Sequence, residues 1–244
     1  VSPRTTRVAG WILAVSVMGV CTALGVWQVS RMHEKRAMLE AVDAVLARRD
    51  ARPLAAAHAP EREGAYDWAA GEGRFVDAPA FVLDNQIHES RPGLRIYRLF
   101  QPATGAAPLL VDLGWTPLVD RTTRMPAADV VAGEGLLDTP VAVRGLLAPP
   151  PSSGLALGPA LAEGSRLMTR FDAGAIAAAA GLQAPPRRVL RLDPALPLGY
   201  ARDLDVLPNT LPPDKHLGYA VQWFGLALAA LVTALVLTFR RPRR

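Results

Sequence analysis

A histidine at the head of an apolar run, close to aromatic rings, amides and cations, is the part of this chain best suited to chemistry. His216 lies in Pro213-Asp214-Lys215-His216-Leu217-Gly218-Tyr219-Ala220-Val221-Gln222-Trp223-Phe224. A second segment, Gly25-Val26-Trp27-Gln28-Val29-Ser30-Arg31-Met32-His33-Glu34-Lys35, closes another apolar run. An imidazole at such a place could ligate haem iron, with aromatic rings packing on the macrocycle and Arg31 and Lys35 meeting the propionates. The alternative is an interfacial histidine that only hydrogen-bonds. Polar residues deep in a membrane are functional by default, whereas interfacial ones are not.

The elements that must position these residues are two long apolar runs. Val8 to Val29 and Leu217 to Phe239 carry no charged residue. A hydrocarbon core of ~30 Å needs about 20 helical residues, so each run is expected to span a membrane. The expected layout is a short cytoplasmic N-terminus (1–7), a first transmembrane helix (8–29) and a β-rich periplasmic domain (30–216). A second transmembrane helix (217–239) and a basic cytoplasmic tail (240–244) follow.

Arg240, Arg241, Arg243 and Arg244 set this orientation, because such a cluster stays cytoplasmic and favours anionic lipid. Arg31, Lys35 and Arg36 would then lie outside, diluted by Glu34, Glu40 and Asp43. A signal peptide cleaved near Ala23-Leu24-Gly25 is the competing reading of the first run, but the run is long for one and a helical pattern continues beyond it. No Arg-rich presequence is visible in the few residues before it, so a bacterial inner membrane is the simpler address.

Composition excludes several classes. The 244 residues have a formal charge of +5 and 20% charged side chains, and the basic residues are membrane flanks or dispersed, so nucleic-acid binding has no support. The single cysteine, Cys21, rules out an intrachain disulfide framework and a Cys-pair metal site. His33, His58, His88 and His216 lack metal-ligand spacing relative to one another. No Gly-x-Ser-x-Gly or metal-hydrolase spacing is present, and Ser152-Ser153 lie in a Pro/Gly loop without a marked base. An enzyme is therefore not expected.

Between the runs, Ser30 to about Arg49 reads as a helix continuing the first span, ended by Arg52-Pro53. Expected strands are Asp67–Val76, Phe81–Asp84, Leu94–Gln101, Leu109–Leu113, Val141–Leu147, Arg166–Phe171 and Val189–Leu192. Pro92-Gly93, Gly105-Ala106 and Pro149-Pro150-Pro151 are turn or loop signals. Asp172 to Leu182 reads as a short helix with Asp172 as N-cap and Gly181 near its end. Pro194 to Pro213 is expected to be extended and not independently folded. The fold class is thus an α+β membrane protein: two transmembrane helices flanking a mainly antiparallel sheet or open barrel.

Trp27 and Trp223 suit an aromatic belt, with Arg31 and Lys35 snorkelling to headgroups. Gln28 and Gln222 are expected to bond across the two helices, since an amide in the apolar edge needs a partner. His216 and Trp223 share a helix face with Tyr219 or Ala220. Trp115 reads as a core residue or a domain-to-membrane contact.

These segments resemble the Surfeit-locus family of cytochrome c oxidase assembly proteins. Gly25, Trp27, Gln28, Arg31 and Lys35 match its Gly-x-Trp-Gln-x-x-Arg-x-x-x-Lys signature. His216, Gly218, Tyr219, Ala220, Trp223 and Phe224 match His-x-Gly-Tyr-Ala-x-x-Trp-Phe. Arg91-Pro92-Gly93, Leu110 to Pro117 (LVDLGWTP) and Val143-Arg144-Gly145 look like its central motifs. One departure is Leu113, where the family usually has Arg, which puts the contacts of that Arg in doubt; Arg95 or Arg98 could take them over if the fold brings either of them near.

The resemblance implies an assembly factor, neither oxidase subunit nor catalyst, that assists maturation of the catalytic subunit. Bacterial members are thought to handle haem a through the histidine opening the second span, here His216, the one implied metal ligand. Tyr219, Gln222, Trp223, Trp27, Gln28, Arg31 and Lys35 are the other candidates for that cofactor site. Implied partners are the catalytic subunit of cytochrome c oxidase, haem A synthase and the bilayer. The competing function is a scaffold that stabilises the nascent subunit without touching haem.

Overall fold

A computed structural model describes residues 3–117, 139–151, 158–161, 166–207 and 210–240. The expectations for Ser152-Ser153 and for the tail beyond Arg240 lie outside the described residues, as does part of the Pro194–Pro213 segment. Two compact units are present. One comprises the chain up to Glu40 and from Thr210 onward; the other is Ala41–Asn209.

The first unit is a helix pair. Helix α1 runs continuously over Pro3–Arg48, so the helix expected after the first apolar run is its direct continuation. It stops at Arg48, four residues before the Arg52-Pro53 signal, where Arg49 turns left-handed with φ 51°. Helix α3 is Pro213–Phe239, with Pro213 starting the first turn, where a missing N–H costs nothing. Both are long and apolar enough to cross a membrane, and only 11% and 6% of their most apolar windows are buried. Core helices of a globular protein would be mostly buried, so these apolar faces call for a non-aqueous surrounding.

Among the described residues the second unit is built on eight strands: β1 (Ala51–Pro53), β2 (Asp67–Phe75), β3 (Phe81–His88), β4 (Arg91–Pro102), β5 (Leu109–Pro117), β6 (Val141–Ala148), β7 (Leu167–Met168) and β8 (Val189–Leu192). Among the described residues five pairings are antiparallel, and β1–β2, β3–β7 and β5–β8 are parallel. The sheet is therefore mixed, with the expected antiparallel majority. It is also closed: β2, β6, β8, β5 and β4 form a ring, because the end of β4 (Phe100–Pro102) returns to pair with β2. The long β4 makes this possible, since its first half pairs with β3 on the same side.

Residues alternate between the ring's interior and its outer faces. Ala69, Phe100, Val111, Leu113, Leu147 and Leu190 belong to the interior core. On one outer face Tyr97, Leu99 and Leu110 meet Ile176 of α2 (Ala173–Ala180). On another, Leu146 and Ala148 meet Val42 near the end of α1. Helix α2 is capped as expected: the Asp172 carboxylate accepts the Ala175 N–H, and Gly181 closes it at φ 64°.

One turn expectation is corrected. The β3–β4 hairpin turns at Glu89 and Ser90, both with positive φ, and Pro92-Gly93 lies inside β4. Pro92 is tolerated there because β5 joins only from Gly93 onward, so no second ladder needs its N–H. The expected Arg166–Phe171 strand is reduced to the two residues of β7. The start of the Pro194–Pro213 segment is also not free. Tyr200 N–H donates to Leu113 O at 2.8 Å and Trp115 N–H to Ala201 O at 2.7 Å, while Leu196, Leu198 and Tyr200 cover the core.

Buried ion pairs tie the barrel together. Asp67 takes 2.7 Å from the fully buried Arg188, 2.6 Å from Arg62 and 2.8 Å from Arg52. Asp193 takes 2.8 Å from Arg144. Burial opposes the charge on each carboxylate, yet the bonds from Arg62 and Arg188, and from Arg144 and the Ala195 N–H, hold both below the ordinary carboxylate range. A lowered folded-state pKa contributes stability above the unfolded value of about 4, lost as pH falls through the lower folded value. Thermal unfolding of the full chain in detergent is expected to be level from pH 7 to about pH 5 and to drop steeply below about pH 4. A Tm that is constant down to pH 2 would contradict this assignment.

Candidate functional site

The helix pair carries the candidate residues on matched stripes. On α1 a stripe of buried or half-buried positions runs through Trp11, Ala14, Met18, Cys21, Gly25, Gln28, Met32 and Lys35, with Leu24 and Val29 half-buried at its edges. The alternating steps of three and four place them on one face. On α3 the matching stripe is Pro213, His216, Ala220, Trp223 and Ala227. Gly25 favours close approach: a Cβ there would sit 2.6 Å from the Phe224 ring, so any larger residue would require that ring to move. Lower on the pair, Trp11 Nε1 donates to Thr238 Oγ1 at 3.0 Å.

Three polar side chains lie buried in this pair: Gln28 at 9% exposure, Lys35 at 8% and His216 at 6%. His216 Nδ1 is 2.7 Å from Gln28 Oε1. His216 Nε2 is buried with no hydrogen-bond partner among the described residues. Lys35 Nζ donates to Thr210 Oγ1 at 2.9 Å and has no acidic partner within ion-pair distance among the described residues. Arg31 is exposed and paired with Glu34.

The expected Gln28–Gln222 bond is therefore replaced by Gln28–His216. Gln222 is exposed, because six residues from His216 carry it to the far side of α3. Tyr219 is exposed at 42% and Trp27 at 53%, so Ala220, not Tyr219, shares the His216 face. Trp223 is half-buried on that face. The structure thus brings Gln28 and His216 together, puts Lys35 on the same α1 stripe, and leaves Trp27, Arg31, Tyr219 and Gln222 facing outward. Sequence reading missed Thr210 as the Lys35 partner and the Trp11–Thr238 bond. The only local signal for the latter was a Trp and a Thr inside otherwise apolar runs.

The central motifs lie in the barrel. Trp115 is 2% exposed, and its Nε1 donates to Gln86 O at 2.9 Å, so it is a core residue. Arg91 stacks over its ring at 5.8 Å, and His88 packs at 5.2 Å. Leu113 is 2% exposed among the apolar core. The two residues considered as substitutes for an Arg there have their own partners: Arg95 pairs with Asp112 at 2.7 Å, and Arg98 donates to Ala78 O at 2.9 Å.

The model of the SURF1 family matches residues 15–228, which takes in most of both helices of the pair and the whole barrel. The chain belongs to the SURF1 family. This is the Surfeit-locus family of cytochrome c oxidase assembly, so oxidase assembly is the process in which this member acts and oxidase subunits are its partners. No curated protein matches the chain. Membership also agrees with the two apolar helices in making this a membrane-anchored protein.

Proposed function

We propose that this SURF1-family member holds haem a at His216 and passes it to the catalytic subunit of cytochrome c oxidase. The observation that carries this reading is the His216 Nε2 atom, buried in the helix pair and unpartnered among the described residues. A neutral imidazole nitrogen of this kind fits an axial ligand of haem iron. Lys35, buried with Thr210 as its neutral partner, fits a propionate, which a charge-assisted bond would hold. Trp223 is the ring on the His216 face available to the macrocycle; Trp27, Tyr219, Gln222 and Arg31 face outward toward lipid or the partner subunit.

Because Nε2 is covered, the side chains around it must part before cargo can enter, which favours moderate binding and ready release. The reading assigns no turnover to the chain. It puts the protein in a bacterial inner membrane with the 30–216 domain in the periplasm, supported by the basic residues from Arg240 onward, and takes haem A synthase as the source of the cargo.

The Gln28–His216 bond also favours a second reading, in which His216 pins two spans of a scaffold together and touches no haem. His216→Asn separates the two. The Asn amide can still donate to Gln28 but cannot replace the imidazole as ligand. In a strain lacking the gene, wild type is expected to restore the haem a absorption of the membranes and oxidase activity. His216→Asn should accumulate normally yet leave haem a at the deletion level. Restoration by His216→Asn would establish the scaffold.

A further inference from the structure

We propose that Gln28 is the positioning residue of His216: its amide oxygen accepts the Nδ1 hydrogen, which leaves Nε2 as a bare lone pair. The proposal rests on the reading of His216 as the haem-contacting residue, and it adds what prepares that residue before any cargo arrives. A neutral imidazole carries one N–H, so the partner of one ring nitrogen decides the state of the other. Nδ1 has a partner, Gln28 Oε1 at 2.7 Å, and Nε2 has none among the described residues. If Gln28 instead donated its NH₂ to Nδ1, the hydrogen would sit on Nε2 as a buried donor without an acceptor. Orphaned buried donors are rarer than under-used acceptors, so the first arrangement is favoured. It is also the one that leaves the outer nitrogen able to ligate.

The contact is built by the helix pair. Gly25, one turn before Gln28, admits the Phe224 ring and keeps α1 close to α3. Met32 and Lys35 continue the same buried stripe, so Gln28 cannot swing out without leaving it. The choice of an amide has a chemical consequence. Partners behind a ligating histidine commonly include carboxylates, which raise the basicity of the ring and strengthen the ligand. A neutral amide orients the ring with less of that effect, which suits a site that must release what it holds.

The test reads the ring itself. Full-length protein in detergent, labelled with ¹⁵N in its histidine rings, is compared with Gln28→Leu and Gln28→Glu; the His216 signals are identified by their loss in His216→Asn. Without haem, wild type and Gln28→Glu are expected to hold the hydrogen on Nδ1, and Gln28→Leu to shift it toward Nε2. On titration with haem a, Gln28→Leu is expected to bind about 10–100-fold more weakly. Gln28→Glu should bind at least as tightly as wild type, with the haem midpoint potential moved negative. A wild-type ring protonated on Nε2, or a tautomer unchanged in Gln28→Leu, would overturn the proposal. A wild type with hydrogen on Nδ1 that binds no haem a would overturn the haem reading and leave the tautomer assignment standing.

Discussion

Replacing Asp67 by alanine is expected to destabilise the barrel by about 3–5 kcal/mol, the loss typical of breaking a buried ion pair from one side. Arg188 has a fully buried side chain and sits 2.7 Å from this carboxylate. Its remaining bonds, to Leu147 O at 3.0 Å and Ala56 O at 3.3 Å, satisfy hydrogens but do not neutralise the charge. Arg62 and Arg52 are more exposed, so they can turn to water when Asp67 is gone, whereas Arg188 cannot. At roughly 2–4 °C per kcal/mol for a domain of this size, the Tm of the full chain in detergent should fall by roughly 10 °C. Adding Arg188→Leu to Asp67→Ala should recover part of the loss, because no charge is then stranded in the interior. A single-variant loss below about 1 kcal/mol would show that the pair is far more hydrated than its burial implies.

Gly114→Val is expected to be nearly as severe, on the order of 3 kcal/mol, by a different route. Gly114 has φ 112°, a region that a β-branched residue does not adopt without strain. A Cβ there would also lie 2.7 Å from Ala201 O and 2.9 Å from Tyr200 O. The incoming side chain pushes away the segment that donates from Tyr200 to Leu113 and accepts from Trp115 at Ala201. Arg202, whose guanidinium is wrapped by the carbonyls of Asp193, Leu196, Leu198 and Tyr200, should then become a trypsin site. A variant that keeps its Tm and stays protected at Arg202 would refute this account of the motif. The Gly114 prediction implies that loss of function at the LVDLGWTP motif arises from barrel instability, as the Asp67 prediction does for the buried ion pair. Loss at Gln28 or His216 should leave barrel stability unchanged.

The short helix α2 and most strand centres were legible because their signals are local. Asp172 and Gly181 cap α2 through their own conformations, and apolar alternation with turn residues marks a strand whatever lies beside it. The β3–β4 turn was misread because Pro92-Gly93 is a strong turn signal by type, while Glu89 and Ser90 adopt positive φ only under the pairing of the two strands. The closure of the barrel had no local mark, since it depends on where the end of β4 lands.

Within the helix pair the limit is physical. Lipid is as apolar as a partner helix, so hydropathy shows that a span exists but not which face packs. Trp27, Tyr219 and Gln222 therefore stood beside Gln28 as candidates around His216.

By itself the amino-acid sequence determined two membrane-length apolar helices around a β-rich domain, the family motifs, and the small set of polar residues at the helix ends. Apolarity, caps and motif spacing are properties of residues within a few turns of one another. Only the tertiary structure decided that Gln28 meets His216, that Lys35 is buried against Thr210, and that β4 closes the ring. Each of these brings together residues far apart along the chain, and their partners are chosen by packing rather than by residue type.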